Sequence, residues 1–262
     1  GLKVHHVNCA TMCPGGSSLV HRERFVCHCL IIETDEGLVL VDTGLGMADV
    51  QQGVPWTFKA SMRPSLRESE TAVERVKALG FSPEDVRHIV PTHLAHDHAG
   101  GLPDFPRAAV HVHAREKQAA LGPKALHQKM RYQPSQWAHA PDWHTYEVDG
   151  DSWFDLEAVR ELDGLPPEIL LIPLHGHSHG HSGVAIDSED GWMLHAGDAY
   201  FHHGELSGTG PAAIKAFQKV LSVDEDARKR NQARLRELAE RTDVDIFCAH
   251  DEHEFMTREH VR

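Results

Sequence analysis

A short stretch rich in histidine places the strongest constraint on how this chain can fold. His93, His96, Asp97 and His98 follow directly after the apolar run 89–91. An apolar run that ends in polar residues is typical of a buried strand that delivers side chains to a site at its end. Imidazole and carboxylate together suit zinc, iron or manganese better than calcium or magnesium, which prefer oxygen ligands alone. The stretch therefore predicts a transition-metal centre, and a polar surface loop is the competing interpretation.

Four other apolar runs also lead into candidate metal ligands or their partners. These are 38–41 before Asp42, 168–174 before His177, 192–194 before Asp198 and 244–249 before His250. Runs of this length and composition predict strands. A catalytic zinc site needs three protein ligands and a water. By ligand count, the residues that follow these runs supply the metal ligands that the histidine stretch alone does not provide. For Asp42, the alternative is a simple turn residue.

The remaining sequence predicts further strands with helices between them. We expect strands at 26–33 and 109–113, and helices at 67–79, from 82 onward, at 114–121 and at 222–241. The last helix has a predicted capping box of Ser222 and Glu225. His111 and His113 point to the same face of their strand, and we expect both to be structural.

Two long irregular stretches carry apolar and aromatic residues. A long loop in a compact domain is usually functional, so 47–66 predicts a lid or pocket wall, or else a loop packed on its own side chains. Residues 123–150 contain four large residues, Tyr132, Trp137, Trp143 and Tyr146. They predict a cap over a substrate, an interface, or a small separate core. Residues 14–18 predict a turn.

Composition limits the class of protein and its partners. The chain has 262 residues, 40% of them apolar, and nothing in it resembles a linker, so we expect one domain over 1–262. A net charge of -13 argues against a nucleic-acid or anionic membrane partner. No run is long enough to cross a bilayer, and the first residues do not form a signal peptide. Five cysteines without a dense framework favour reduced thiols and the cytoplasm.

The order of these motifs resembles the metallo-β-lactamase superfamily over about residues 25 to 253. The motifs are Asp-Thr-Gly at 42, the histidine stretch, Gly-His-Ser-x-Gly-His at 176, Gly-Asp at 197 and Ala-His at 249. Residues 92–101 and 249–251 look most like the branch that includes N-acyl homoserine lactonases. The resemblance implies an α/β fold, a four-layer αββα sandwich of two mixed sheets with helices on both outer faces and the site at one edge.

The resemblance also implies a set of metal ligands. Metal one would take His93 and His177, metal two would take Asp97, His98 and His250, and Asp198 would bridge both ions. Asp42 matches an aspartate that orients a ligand histidine. The chain departs from the family motif at Ala95, where a second histidine is expected. We expect zinc, one or two ions per chain, with iron and manganese as alternatives. Either His96 substitutes for the lost ligand, or metal one binds more weakly, or metal two acts alone.

The function that the resemblance implies is metal-dependent opening of a carboxylic ester, above all a lactone, in a small-molecule substrate. Water activated by metal would attack the carbonyl. Asp97 would carry a proton, and Tyr200 would stabilise the oxyanion. The lactonase branch has a tyrosine slightly later than Tyr200, at the spacing where this chain has Phe201.

Three alternatives remain at this point. They are a thioesterase of the glyoxalase II type, an iron-dependent oxygenase on the same scaffold, and a degenerate metal-binding protein without catalysis. The retained candidate ligands argue against complete loss of the site. The oligomeric state is open, and a homodimer is one of the options.

Overall fold

Two mixed β-sheets pack face to face in the computed structural model, which describes residues 1–14, 24–122, 130–159 and 161–259. The turn that we predicted at 14–18 lies almost wholly outside these residues, as does part of the stretch 123–150. The strands are β1 (Lys3–Met12), β2 (Phe25–Thr34), β3 (Gly37–Val41), β4 (Val86–Val90), β5 (Ala109–His113), β6 (Asp142–Tyr146), β7 (Ser152–Trp153), β8 (Leu156–Glu157), β9 (Ile169–Pro173), β10 (Ser182–Ser188), β11 (Gly191–His195) and β12 (Val244–Phe247).

The described helices are mostly short. They are α1 (Met47–Gln52), α2 (Trp56–Met62), α3 (Ala72–Ala78), α4 (His96–Ala99), α5 (Ala114–Leu121), α6 (Ala212–Leu221), α7 (Glu225–Ala239) and α8 (Glu252–Arg258). Single turns of 3-10 helix occur at Glu68–Glu70, Pro83–Asp85, Leu102–Asp104, Pro134–Trp137 and His203–Glu205. No helix of the described segments has the length and apolar content that crossing a membrane requires.

The larger sheet has six strands in the order β1-β2-β3-β4-β5-β6. The pairs β1–β2 and β2–β3 are antiparallel, and the pairs from β3 to β6 are parallel. The smaller sheet has the order β12-β11-β10-β9, with only β12 and β11 parallel. The strands β7 and β8 form a separate hairpin. Both large sheets are therefore mixed, as the sequence predicted.

Alternation of side chains along the strands builds three layers of core. Leu30 and Ile32 of β2 pack against Leu171 of β9 between the two sheets. Ile31, between them in sequence, packs on the opposite face, under the helices of the larger sheet. Leu170 likewise faces outward and joins Leu235 and Leu238 of α7. Because successive side chains of a strand point to opposite faces, fully apolar strands bury both faces. This produces the four-layer αββα sandwich, in which both sheets share an inner core.

Several element boundaries differ from the sequence predictions. The helix predicted from 82 is a single 3-10 turn that enters β4, although Ser82 does cap it. The helix predicted over 222–241 begins only at Glu225 and is capped by Asp224, whose side chain accepts from the backbone of Ala227. Ser222 instead donates to the carbonyl of Gln218, at the end of α6. The capping-box prediction was therefore wrong, because two acceptors compete within three residues and the chain uses the second.

The two irregular stretches contain more regular structure than expected. Residues 47–66 form the helices α1 and α2, and the helix predicted from 67 begins at Ala72. Within 123–150, the chain adds β6 to the edge of the larger sheet. Phe58 and Met62 of α2 line the main cavity of the protein. The pocket-wall interpretation of 47–66 therefore matches the structure.

Candidate metal centre

The candidate ligands lie at the carboxyl ends of strands from both sheets. His93 follows β4, and Asp97 and His98 lie in the short helix α4. His177 follows β9, Asp198 follows β11 and His250 follows β12. Because these strand ends meet at one edge of the sandwich, residues far apart in sequence are brought together. All six predicted ligands are buried and converge on one point.

Asp198 lies at the middle of the cluster, between two groups of histidines. Its Oδ1 atom is 3.3 Å from Nε2 of His98 and 3.2 Å from Nε2 of His250. Its Oδ2 atom is 3.3 Å from Nε2 of His177 and 3.9 Å from Nε2 of His93. Each group, together with Asp198, places its donor atoms within 4.8 Å of one another. One carboxylate that faces two sets of imidazoles is the geometry expected of a bridging ligand.

Asp97 joins the group that contains His98 and His250. Its Oδ2 atom is 3.6 Å from Nε2 of His250 and 4.0 Å from Nε2 of His98. Asp97 also lines the cavity, and at 8% exposure it is more accessible than Asp198 at 3%. The side that holds His98 therefore has four donors, whereas the side that holds His93 has three.

The tautomers of two histidines are set by hydrogen bonds on their far sides. Nδ1 of His98 donates to Oδ2 of Asp42 at 2.8 Å, and Nδ1 of His250 donates to the carbonyl of Val26 at 2.8 Å. In each ring Nε2 is therefore the nitrogen that is directed at the centre. Partners of this kind orient metal ligands and raise their basicity. Asp42 therefore occupies the orienting position that the sequence predicted.

Three buried polar atoms at the centre lack a hydrogen-bond partner within the described chain. They are Nε2 of His93, Nε2 of His98 and Oδ1 of Asp198. Buried polar atoms are almost always paired, so a cluster of orphans at one point needs an explanation. Bound metal ions would satisfy all three, and the mixture of imidazole and carboxylate suits zinc or a neighbouring transition metal. The residues present therefore fit a metal centre.

The charges within the cluster shift its ionisation. Burial alone would raise the pKa of Asp198, but His250, His98 and His177 outweigh it and hold the pKa well below its ordinary value. Burial also lowers the pKa of His93 well below normal. Asp198 is thus an anion and His93 a neutral imidazole, as metal ligation requires. By contrast, Asp198, Asp42 and Asp97 outweigh burial and raise the pKa of His98 well above its ordinary value, so a metal would have to displace a proton from that ring.

Ala95 and His96 decide how the three-donor side is completed. Ala95 lines the cavity and offers no donor. Nε2 of His96 lies 2.7 Å from Oδ1 of Asp49 in α1, and the ring of His96 is 5.0 Å from that of Phe58. The structure therefore does not bring His96 into the centre. Substitution of His96 for the missing ligand does not fit this geometry.

Tyr200 is not brought to the cavity. Its hydroxyl donates to Oε1 of Glu254 at 3.0 Å, and its ring packs in the core outside the smaller sheet. Phe201, the next residue, points the other way and lines the cavity beside His177 and His250. The oxyanion role that we expected of Tyr200 does not fit this position, because neighbouring side chains of an extended segment diverge.

Glu116 is a buried residue of the site that the sequence analysis missed. Its Oε1 atom accepts from the backbone of Leu94 and from the hydroxyl of Tyr132, and its Oε2 atom accepts from Ser178 and from the backbone of Gly180. The carboxylate thus joins the loop of His93 to the loop of His177. The only signal in the sequence was an acidic residue in the first turn of α5, which is common in helices and points to no such role.

His181 also has a role that the motif alone did not reveal. Its Nε2 atom accepts from the backbone of Asp198 at 2.8 Å, and its Nδ1 atom donates to the carbonyl of Leu174 at 2.9 Å. Burial lowers its pKa to about 4, so the ring stays neutral and keeps accepting. His181 therefore positions the backbone of Asp198.

A cavity of about 630 Å³ opens onto the centre. Its walls are mainly apolar and aromatic: Phe25, Phe58, Met62, Met130, Phe201, Phe217, Val220 and Leu221. Arg131 is the only arginine or lysine among the described residues that line it. Its guanidinium donates to the backbone carbonyls of His177 and Leu221. Two of its N–H groups are therefore already hydrogen-bonded to the backbone and are not directed at an anionic ligand.

The sequence of this chain is similar to those of known metallo-hydrolases and lactonases. A family model for the metallo-beta-lactamase superfamily matches residues 22–224. A probable metallo-hydrolase of Mycobacterium tuberculosis is 42% identical over 255 residues, which cover 95% of this chain and 80% of the relative. An N-acyl homoserine lactonase of Bacillus thuringiensis is 29% identical over 227 residues, with 85% of this chain and 80% of the relative covered.

Solved structures share the fold. An N-acyl homoserine lactone hydrolase, solved with the product N-hexanoyl-L-homoserine at its catalytic metal centre, aligns with a TM-score of 0.74 at 23% identity. That alignment covers 97% of this chain and 95% of the other. A probable metal-dependent hydrolase from Staphylococcus aureus aligns with a TM-score of 0.71 at 17% identity, over 96% and 90% of the two chains. These likenesses establish the four-layer sandwich.

Proposed function

Because the chain belongs to the metallo-beta-lactamase superfamily, we propose that it is a zinc-dependent hydrolase that opens the ester bond of a lactone. The family and its relatives support a metallo-hydrolase. The choice of a lactone rests on the lactonase relatives and on the shape and polarity of the cavity. Zinc is proposed because the donor set suits it.

One observation carries the proposal. The two carboxylate oxygens of Asp198 face two separate groups of buried imidazoles, and three of the buried atoms at that point lack any other partner in the described chain. His93 and His177 would hold one ion with Asp198. Asp97, His98 and His250 would hold the other with the same carboxylate. A site that had lost its function would have no reason to keep such unpaired polar atoms buried, since each costs about 1–3 kcal/mol.

Ions held by these residues would supply a Lewis acid for the carbonyl and a water that ionises near neutral pH. The protein residues position the substrate and manage its protons. Asp97 is the most accessible carboxylate of the cluster, so we assign it the transfer of a proton to the leaving oxygen. His98 is fixed by Asp42, and His250 by the carbonyl of Val26, so neither ring needs to reorient during the reaction.

The cavity favours an ester with an apolar substituent. Phe58 and Met62 of α2 line the cavity together with Phe217 and Leu221 of α6, which provides apolar walls for an acyl group. A phosphodiester would need basic groups, and the guanidinium of Arg131 already donates to two backbone carbonyls. An uncharged lactone ring with an apolar chain fits these walls better than a phosphate ester or an anionic thioester.

The test is hydrolysis of a matched substrate panel by protein of measured metal content. The panel contains an N-acyl homoserine lactone, a simple γ-lactone, the corresponding open-chain methyl ester and an S-acyl glutathione thioester. We expect the highest kcat/KM for a lactone. A preference for the thioester would support the thioesterase alternative instead.

Two variants separate an enzyme from a degenerate binding protein. Asp198→Asn removes the bridging charge and should lower kcat/KM by more than about 100-fold, since even an outer partner of a metal ligand contributes 10–100-fold. Asp187→Asn changes a half-buried aspartate of β10 away from the centre and should leave turnover unchanged. Turnover of no substrate by metal-loaded wild-type protein would refute the proposal.

A further inference from the structure

A second cluster of metal-ligating side chains lies outside the centre described above. His202 and His203 lie on the segment that follows Asp198, and Asp251 comes directly after His250. One donor atom from each of His202, His203 and Asp251 lies within 4.8 Å of the other two. None of these three is among the described residues that line the cavity. The cluster is therefore separate from the proposed catalytic centre, although each of its segments also carries a ligand of that centre.

The pair His203 and Asp251 is joined by two hydrogen bonds. Nδ1 of His203 lies 2.7 Å from Oδ2 of Asp251, and the backbone amide of His203 donates to the same oxygen. Asp251 is buried and is held in turn by the backbone of Glu254, whereas the side chain of His203 is 42% exposed. Asp251 is therefore fixed by three hydrogen bonds, and the imidazole beside it is open to solvent.

Two further imidazoles lie around His203. The ring of His202 stacks on that of His203, with the two centroids 4.2 Å apart. The ring of His253, in the first turn of α8, has its centroid 4.7 Å from that of His203. The rings of His202 and His253 thus both lie next to the imidazole that contacts Asp251. Imidazole-rich sets of this kind suit zinc, nickel and copper and disfavour calcium and magnesium.

We propose that His202, His203 and Asp251 form a peripheral binding site for a divalent transition-metal ion, with His253 as an additional ligand. When the ion binds Nδ1 of His203, the proton on that nitrogen moves to Nε2, so the ring stays neutral and Asp251 turns from a hydrogen-bond acceptor into a ligand of the ion. The ion then joins the segment after Asp198 to the segment after His250. Since it binds only the folded chain, it raises the thermal stability of the protein.

The test is a titration of Ni²⁺ into protein whose main centre is already loaded with metal. Isothermal titration calorimetry should show one further equivalent bound per chain. His203→Ala should weaken this binding at least tenfold and abolish the rise in Tm caused by Ni²⁺, because it removes the imidazole that is common to all the contacts.

The chain offers a matched control for this variant. His5 also pairs with a carboxylate, with Nε2 2.7 Å from Oε1 of Glu33, but no described third ligand lies beside that pair. His5→Ala should therefore leave Ni²⁺ binding unchanged. His203→Gln keeps a polar side chain of similar size, so it controls for a fold defect in the alanine variant and should lose binding equally.

Three outcomes would overturn the proposal. They are the absence of a further equivalent on the loaded protein, undiminished binding by His203→Ala and His203→Gln, and an equal loss in His5→Ala. Metal analysis of the main centre before and after titration checks that Ni²⁺ has not exchanged there. Since that analysis counts the main centre separately, failure of the peripheral site is distinguishable from failure of the catalytic one.

Discussion

The carboxylate of Asp42 lies 2.8 Å from the Nδ1 atom of His98, although 56 residues separate them in the chain. Asp42 has a φ of 58°, at the end of β3, and its other oxygen accepts from the backbone of Thr92 at 2.7 Å. This backbone conformation turns the carboxylate away from the strand and toward the histidine. One residue thus connects the end of β3 with the segment that carries His93 and His98.

The first prediction tests this contact. Asp42→Asn keeps the side-chain shape and tolerates the left-handed backbone, which an alanine would not. Loss of the charge should weaken metal binding at the His98 side by about 10–100-fold and lower kcat/KM in proportion. Competition with a chromophoric chelator measures the affinity. Unchanged affinity would mean that Asp42 serves only the turn.

The second prediction concerns the ligand that Ala95 lacks. We expect wild-type protein to bind two ions per chain, with the one near His93 held more weakly. Ala95→His should raise the affinity of that ion by more than about tenfold, because a directly bound imidazole contributes more than an outer partner. Ala95→Leu fills the same space without a donor and is the control. Mass spectrometry of metal content during stepwise chelation gives both affinities, and equal behaviour of the two variants would refute the assignment.

The third prediction concerns Glu116, whose carboxylate joins the loops of His93 and His177. Glu116→Gln replaces one acceptor by a donor that faces other donors, so we expect a loss of about 2–4 kcal/mol in the free energy of unfolding. The ion near His93 should also be lost first. Tyr132→Phe removes only one of the four hydrogen bonds and should cost about 1 kcal/mol. Urea denaturation with metal analysis checks both, and equal losses would exclude a joining role.

The fourth prediction follows from the position of Tyr200. Because its hydroxyl donates to Glu254 and does not reach the cavity, Tyr200→Phe should leave kcat within about threefold of wild type. Stability should fall by about 1 kcal/mol for the lost hydrogen bond. Steady-state kinetics on the preferred substrate provide the test. A decrease in kcat beyond tenfold with metal content unchanged would restore the catalytic role that the sequence suggested.

The fifth prediction is a pH dependence of stability that arises from Glu254. Burial raises its pKa to about 7 from an ordinary value of 4.5. The folded state therefore binds a proton more tightly than the unfolded state, so this contribution is complete below about pH 4.5. It is lost as pH rises to 7, and its size is at most roughly 3 kcal/mol. Glu254→Gln should remove it, which urea midpoints at pH 5 and pH 7.5 would reveal as a smaller difference than in wild type.

The sequence by itself predicted the strands that lead into the candidate ligands, and the family resemblance of its motifs implied the four-layer sandwich and the six ligand candidates. The alternation of side chains along a strand and the residue types at its end are local properties, so they can be recognised in the sequence without knowledge of the fold. The sequence predicted the starts of helices less well. Ser222 and Asp224 can both cap a helix, and the local pattern does not show which of them does so. Glu116 was also missed, since a buried acid and a surface acid look the same in a sequence.

What only the tertiary structure decided is the direction in which each candidate side chain points. Spacing could not tell that His96 turns to Asp49, or that Tyr200 faces Glu254 while Phe201 enters the cavity. Nor could it show that the two oxygens of Asp198 face different groups of histidines. These directions depend on which elements pack against one another, and that packing involves residues tens to more than a hundred positions apart. The residue types therefore determine which chemistry the site can perform, whereas the packing of the folded chain determines the geometry of the site.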